Sequence, residues 1–528
     1  MENILSMNSS IANSSNLITD LEQRCLQLEL KNAELAATVK WWEERYSLAQ
    51  KRKFATSSEK SDSTQLSLFN EAEQEAQPLL VEPTLEKITY ERRKKQPGQR
   101  EALLKDLPVK TIMYTLPAAE QVCSCCGGKL HEMRTEIRQE LEIIPAKVNV
   151  VQHVRQVYAC RKCQQEGTST PIITAPMPAP VLKGSLVSPS TMAHVMNQKY
   201  VDGLPLYRQE QQFARLGLKL SRQTLANWVL HGADKWLIHL YNRLHQQLIK
   251  QDVLHADETT LQVLHEPGRA AKSKSYLWLY RTGRDGPPIV LYDYQETRAG
   301  YNPKKFLNGY KGYLHVDGYA GYHLVENVTL VGCWAHARRE FDEALKVLPK
   351  DIRGRKTAAR EGLDFCNRLF AIERDLQELT PEKRYEARIK HSRPVLDAFL
   401  AWLKEQATQA LPKSAFGKAV NYCLNQWSKL EAFMQDGRLE ISNNRGERSI
   451  KPVVIGRKNF LFCNTPRGAK ASAIIYSIVE TAKENGLNPY EYLKHLFTTL
   501  PNVDVTNMAV IDELLPHSPS LPSSCRTK

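Results

Sequence analysis

Two acids inside strand-patterned runs are the first residues that could do chemistry. Asp257 stands in HADET and Asp317 in HVDGYAGY, each preceded by apolar strand residues and followed by polar or small ones. An isolated carboxylate buried in a sheet is costly unless it is paired or bound to a metal. Two aspartates meeting at one point, with a third acid, can hold two Mg²⁺ roughly 4 Å apart. Oxygen ligands suit that hard cation. One ion would activate a water or a 3′-hydroxyl, and the other would stabilise the leaving oxygen of a phosphodiester. The alternative makes Asp257 and Asp317 ordinary strand-end or turn residues.

A third acid has two uses open to it. Glu447 lies in EISNNRGERSIKPVVIGRKNFLF, Glu440 to Phe462. Asn444 as a helix cap with Glu447 three residues on would form a capping box, and Pro452 would then limit the helix. The segment 438–470 holds eight Lys or Arg and two acids. A carboxylate in such a segment suits a metal site whose neighbours neutralise DNA phosphates.

Sulfur chemistry is concentrated in CSCCGG and CRKC. Two C-x-x-C knuckles, separated by 33 residues, suit tetrahedral Zn²⁺ through Cys123, Cys126, Cys160 and Cys163. Cys125 is a spare thiol. A redox dithiol is the competing use, but no thioredoxin-like βαβ context surrounds either knuckle.

These residues need elements to hold them. From Asp252 the hydrophobic period is two: DVLHADETTLQV, YLWLYRTG, PIVLYDYQ, GYLHVDGY and VTLVGCWAH predict five strands. The first three follow one another as hairpins. The segment NPKKFLNGY precedes the fourth, and the helix WAHARREFDEAL follows the fifth. If strands one and four are neighbours, Asp257 and Asp317 converge. Residues 348–435 have helical patterning and predict an all-helical insertion. KASAIIYSIVETAKENGLNPYEYLKHLF predicts two helices broken at Gly486 to Pro489, and a loosely ordered tail starts at Pro501. Upstream, residues 206–233 predict a helix, a turn at Gly217 and a second helix capped by Ser221. That is either a helix-turn-helix, with Arg222, Gln223 and Asn227 placed to read base edges, or an ordinary helical hairpin.

The N-terminal part is organised differently. Leu21, Leu28, Leu35 and Trp42 fill one seam of a heptad; Ile18, Cys25, Asn32, Val39 and Tyr46 fill the other. This predicts a coiled coil that makes a homodimer, with Asn32 setting a two-stranded parallel pairing. A helix packed on its own chain has the same pattern. A polar, basic linker follows. The boundaries are 1–50 coiled coil, 51–115 linker, 116–170 zinc-binding module, 171–250 helical domain, 251–347 first part of the core, 348–435 insertion, 436–500 final core helix and C-terminal helices, and 501–528 tail.

Composition agrees with a multidomain α/β protein. The 528 residues are 42% hydrophobic and carry a formal net charge of +14. That excess points to a polyanionic partner, nucleic acid being the commonest. The start, MENILSMNSSIANSSN, has no signal-peptide pattern, and no run of 18 apolar residues suggests a membrane span. Eleven cysteines, mostly scattered, do not form a disulfide framework. A reduced, cytoplasmic location is expected, with no membrane partner.

Several stretches together resemble the transposases of the Insertion Sequence 66 family. They are RKFATSSEK, the C-x-x-C pairs, KYVDGLPLYRQE, SRQTLANWV, HADET, HVDGYAGY, CWAHARREF, NNRGERSIKPVVIGRKNFLF and NGLNPYEYL, and they cover nearly the whole chain. The resemblance implies a DDE transposase with a ribonuclease H-like core and a helical insertion before the final acid. It implies that Asp257, Asp317 and Glu447 bind Mg²⁺ (or Mn²⁺) and cleave and join double-stranded DNA at element ends and target. It further implies a nucleoid-associated protein working with two small accessory proteins of the same element. Similar proteins usually have Asp where this chain has Ser442, which serves here as a helix cap; Glu440 is a rival third acid. His336, Arg338 and Arg339 either meet the scissile phosphate or are plain surface charge. Arg448 and Lys451 share a helical face with Glu447, and Arg457, Lys458 and Asn459 are placed to touch DNA backbone. Trp334 is core or a base-stacking wedge. The alternative function is a zinc-containing DNA-binding regulator derived from a transposase with an inactive core.

Overall fold

Alternating side chains between residues 253 and 331 build the sheet that carries both aspartates. The computed structural model describes residues 172–349 and 356–527, with 148–154, 156–159 and Arg24, Cys25, Leu28 and Lys31. The heptad seam, the linker and the cysteines Cys123, Cys125, Cys126, Cys160 and Cys163 lie outside the described residues, apart from Cys25 and Leu28. The chain divides into two units, Met1–Ala55 with His153–Thr527, and Thr56–Gln152. All the elements named here belong to the first.

A short antiparallel pair, β1 (Val157–Ala159) and β2 (Ile172–Thr174), precedes a helical block. Ser188 caps α1 (Pro189–Tyr200) by accepting from the Thr191 amide. α2 (Leu206–Arg215) ends in a turn where Gly217 takes φ +81°, a conformation that favours glycine. Ser221 caps α3 (Arg222–His231), which continues through a π-helical turn into α4 (Ile238–Leu248). Met192, Val195, Leu225, Trp228, Leu240 and Leu244 form its buried side.

The sheet has five strands: β3 (Val253–Gln262), β4 (Lys274–Thr282), β5 (Val290–Gln295), β6 (Gly312–His315) and β7 (Val328–Val331). Their spatial order is β5-β4-β3-β6-β7. β3, β4 and β5 pair antiparallel, while β3, β6 and β7 run parallel. The short α5 (Tyr301–Phe306) joins β5 to β6, and α6 (Trp334–Val347) leaves β7.

Three helices follow: α7 (Ala358–Asp375), α8 (Pro381–Gln409) and α9 (Ala415–Glu431). They pack an aromatic core from Phe341, Phe399, Trp402 and Phe433 around Trp334, whose Nε1 donates to Leu430 O at 2.7 Å. Trp334 is fully buried, so the base-stacking wedge is excluded. Two buried arginines one turn apart on α8 fix the chain that leads back to the site. Arg384 donates to Gly437 O (2.8 Å), and Arg388 to Phe433 O and Leu439 O (2.7 Å each).

α10 (Asn444–Phe460) packs on β3 and β4. It runs straight through Pro452, contrary to the expected limit. A mid-helix proline costs about 3 kcal/mol. The buried stripe Gly446, Ser449, Val453 and Gly456 offsets it, and Arg281 anchors Ser449 Oγ at 2.5 Å. α11 (Pro466–Glu484) covers the edge strand β5. Its Thr481 Oγ1 and Ser477 Oγ accept from the Val290 and Tyr292 amides at 3.0 and 2.8 Å, closing an edge that would otherwise be open. After the break at Gly486 come α12 (Pro489–Thr499) and α13 (Met508–Glu513). The tail expected to be loose is ordered: Leu514, Leu515, Leu521 and Cys525 are buried, and Arg243 holds Asp512 at 2.6 Å.

Candidate active site

Register brings the two aspartates together. In the parallel pairing of β3 with β6, His255 stands opposite His315. Each histidine comes two residues before an acid, and side chains two apart share a face. Asp257 and Asp317 therefore leave the sheet on the same side. Asp317 lies just past β6, where its Oδ1 accepts from the Tyr319 amide at 2.9 Å. Asp257 Oδ1 accepts from the Glu258 amide at 2.8 Å. Burial pushes the Asp257 carboxyl well above the usual carboxylate range, and the charges of Glu258, Asp317 and Glu447 push the same way.

Glu447 arrives on the first turn of α10. Its Oε1 lies 3.8 Å from His336 Nδ1 and its Oε2 lies 3.8 Å from Arg339 Nη2, both on α6. Neither contact is short enough to be a hydrogen bond. Glu447 Oε1 and His336 Nδ1 are buried atoms without a hydrogen-bond partner among the described residues. Burial lowers the His336 pKa, while Glu447 draws it upward.

One side chain positions this acid, and it is not the capping residue the spacing predicts. The helix begins one residue earlier, with Asn443 at the cap position and no side-chain cap bond. The expected capping box with Asn444 is absent, and Ser442, expected as a cap, is buried just before the cap position. Asn443 spends its amide elsewhere. Its Nδ2 donates to Ala256 O (2.8 Å), and its Oδ1 faces His255 Nδ1 (2.8 Å). Its backbone N–H donates to Cys333 Sγ (3.2 Å), and its carbonyl accepts from the Glu447 amide (3.1 Å). A single residue thus ties β3, the start of α6 and the turn bearing Glu447. A Cβ at Gly446 would stand 2.9 Å from Asn443 Oδ1, which explains the glycine beside the latch.

Glu440, the rival third acid, is fully engaged. His255 Nε2 lies 3.0 Å from its Oε2, and Arg445 reaches both oxygens at 2.9 Å. Burial opposes its ionisation, but those bonds outweigh burial and hold the carboxyl well below the usual range. His315 stacks on His255 at 4.3 Å, and burial, then the neighbouring imidazole, press its pKa far down. On the other face of β3, Glu258 accepts from Arg298 Nε (2.8 Å) and Tyr322 Oη (2.5 Å). Arg298 also lies 3.9 Å from Asp317. Burial pushes the Lys429 ammonium down, and Asp317 pulls it back up.

The cationic candidates separate. His336 and Arg339 stand beside Glu447, whereas Arg338 turns away and donates to Asn367 Oδ1 at 2.7 Å. Arg448 and Lys451 are exposed on α10. Arg457 is tied to β3 through Thr260 Oγ1 (3.0 Å) and the Thr260 carbonyl, rather than projecting into solvent. Lys458 is half-buried, and Asn459 is exposed. Arg222, Gln223 and Asn227 are exposed on the first two turns of α3. Sequence reasoning overlooked Asn443, His255, His315 and Cys333. A signal existed for two of them, since HAD and HVD repeat the same H-x-D spacing.

Comparison with known proteins places this arrangement in a family. The profile described as Transposase IS66 family matches residues 184–471, which include Asp257, Asp317 and Glu447. The zinc-finger binding domain of transposase IS66 matches residues 120–164, spanning the four knuckle cysteines, and supports Zn²⁺ binding. The IS66 C-terminal element matches 477–517, and a profile described as Transposase C of IS166 homeodomain matches 41–112. Among similar proteins is the uncharacterised y4jD of Sinorhizobium fredii, 32% identical over 413 residues, covering 75% of this chain and 78% of that one. Another is y4hP of the same organism, also uncharacterised, 29% identical over 414 residues, covering 75% and 72%. With more than half its length matched by the one profile, the chain belongs to the IS66 transposase family.

Proposed function

We propose that this chain is a DDE transposase that cleaves the 3′ ends of a bacterial insertion sequence and joins them to target DNA. In this reading the sheet and its helices form a ribonuclease H-like core, and Asp257, Asp317 and Glu447 bind Mg²⁺ or Mn²⁺. The observation that carries it is the state of Asp257: a half-buried carboxyl whose charge is disfavoured by burial and by nearby acids, Asp317 and Glu447 among them, with no cation bonded to it among the described residues. The donor set fits a hard divalent ion, since all three are carboxylates and Glu447 Oε1 is buried without a hydrogen-bond partner among the described residues. The order β5-β4-β3-β6-β7, with an antiparallel half and a parallel half, supports the core assignment. When bound, the metal ions lower the pKa of the attacking water or 3′-hydroxyl and stabilise the departing oxygen.

The protein's own residues supply position and charge. β3 and the exit of β6 fix two acids rigidly, and Asn443 fixes the turn carrying the third. His336 and Arg339 stand where a scissile phosphate would meet them. Arg448 and Lys451, exposed on α10, suit the flanking backbone, where each cation neutralised against a phosphate adds to affinity. Arg222, Gln223 and Asn227 on α3 suit base edges of the element ends. Cys123, Cys126, Cys160 and Cys163 hold a structural Zn²⁺, and the N-terminal heptads make a homodimer. The protein works in the cytoplasm at the nucleoid, with two small accessory proteins of its element.

Nicking and strand transfer on the element's own ends, with Mg²⁺, test this. Asp257→Asn lowers both by on the order of 10³-fold and keeps end binding; full activity in that variant would end the proposal. A DNA-binding regulator with an inactive core would bind the ends and never nick them, with or without the accessory proteins.

A further inference from the structure

A second set of donors stands at the rim of the acid pocket. Cys333 is the residue at the N-terminus of α6, and His336 follows three residues later on the same face. Glu447 meets them from α10. The ligand atoms of Cys333, His336 and Glu447 all lie within 4.8 Å of one another. Hydrogen bonding accounts for one member of this grouping, Cys333, whose Sγ accepts from the Asn443 amide at 3.2 Å, and not for the other two. His336 Nδ1 and Glu447 Oε1 are both buried and both lack a hydrogen-bond partner among the described residues. Two orphaned ligand atoms facing each other at 3.8 Å, with a buried sulfur beside them, are a receptor for a cation rather than a finished network.

The chemistry of the set selects the ion. Thiolate, imidazole and carboxylate together suit Zn²⁺ and ions like it, whereas Mg²⁺ takes oxygen donors. Zn–S and Zn–N bonds of about 2.3 and 2.0 Å put neighbouring donors about 3.5 Å apart, so rotamer adjustments of about 1 Å close the site. Three protein donors leave a fourth position for water. Arg339, more than half exposed, is free to swing away from Glu447 Oε2.

We propose that Cys333, His336 and Glu447 bind a zinc-class divalent cation at a site separate from the four-cysteine module and sharing Glu447 with the acid pocket. One ion enters, the Cys333 sulfhydryl proton leaves to solvent, and no electron is transferred. Occupancy turns Glu447 towards α6 and away from Asp257 and Asp317. Zinc therefore acts as an inhibitor of DNA cleavage. The inhibition rests on the three-acid reading above; the binding does not.

Cobalt substitution on the full chain tests the binding. With the four-cysteine module already loaded with zinc, added Co²⁺ binds as a further equivalent and gives thiolate-to-cobalt absorption. Cys333→Ser abolishes that absorption. It also weakens binding beyond the ~10–100-fold that loss of an outer partner costs. If Cys333→Ser does not fold, His336→Ala serves, read by Co²⁺ binding alone. Absence of the further equivalent in the natural chain, or its persistence with thiolate absorption in Cys333→Ser, overturns the site. The second arm is nicking at fixed Mg²⁺, scored as the ratio with and without added Zn²⁺. That ratio falls steeply for the natural chain and stays near one for Cys333→Ser. Cobalt binding without zinc inhibition of an active enzyme retains the site and sinks its inhibitory role. Cobalt binding without any nicking sinks the three-acid reading instead.

Discussion

Two carboxylate environments lie side by side at the start of α10, and they are opposites. Glu440 is satisfied by His255 and by both arms of Arg445, and its acidity is raised by them. Asp257 is half-buried with no bonded cation among the described residues, near Asp317 and Glu447, and its acidity is suppressed. The first arrangement is a closed structural network. The second stores electrostatic repulsion that only a proton or a cation can relieve. The same fold built both within one short loop and the strand it crosses, so the difference is not one of burial alone. It lies in which partners were supplied.

Substitutions that exchange the two roles give the largest effects. Removing the charge of Asp257 with Asp257→Asn costs nicking on the order of 10³-fold, about 4 kcal/mol of transition-state stabilisation. The same change raises metal-free stability by on the order of 1 kcal/mol, because it removes repulsion. Thermal melting in the presence of a chelator checks the second part; a lower Tm would break the contrast.

Glu440→Ala works in the reverse direction. It strands Arg445 and His255 in a largely buried site and costs about 3 kcal/mol of stability, measurable by urea unfolding. The pH dependence has a definite sign. The folded pKa of Glu440 lies below its unfolded value, near ~4.3, so the native state binds fewer protons than the unfolded one between the two values. Its stabilisation is present above about pH 4.3 and is lost as pH falls towards the folded pKa. The natural chain therefore shows an acid-side loss of stability that Glu440→Ala lacks. Equal slopes in the two proteins would show that the ion pair contributes nothing.

Asn443→Ala sharpens the comparison at the joint between the two networks. It leaves the Ala256 carbonyl without its side-chain donor and costs about 1–3 kcal/mol. It lowers nicking by more than the lost folded fraction explains, because Glu447 loses its register. The smallest effect belongs to Arg338→Ala. Its guanidinium is turned onto Asn367, so the change alters stability by about 0.5 kcal/mol or less and nicking hardly at all, whereas Arg339→Ala weakens nicking. Equal losses for both arginines would refute the division of α6 into a site face and a packing face.

Much of the frame was legible in the chain because it is local. Period-two runs mark all five strands, glycine marks the turn at Gly217, and Ser221 caps α3 as its position suggests. Other expectations failed because a distant partner outweighed a local preference. Pro452 does not end α10, since Arg281 and the sheet hold that helix across the proline. Asn444 does not cap, because Asn443 is already committed to β3 and to His255. Arg457 reads as a surface cation in the sequence, yet Thr260 holds it.

The sequence by itself determined which residue types were available: acids in strand contexts, paired cysteines, and a helix rich in positive charge. Only the tertiary structure decided which carboxylate is satisfied and which is left open. Glu440 and Glu447 differ by seven positions in one segment, and no local rule separates them. Their fates depend on His255 and Arg445, which bond to one at 2.9–3.0 Å, and on His336 and Arg339, which stay 3.8 Å from the other. Electrostatic pairing is set by distances of a few ångströms between residues far apart along the chain, and those distances exist only once the sheet has closed around β3.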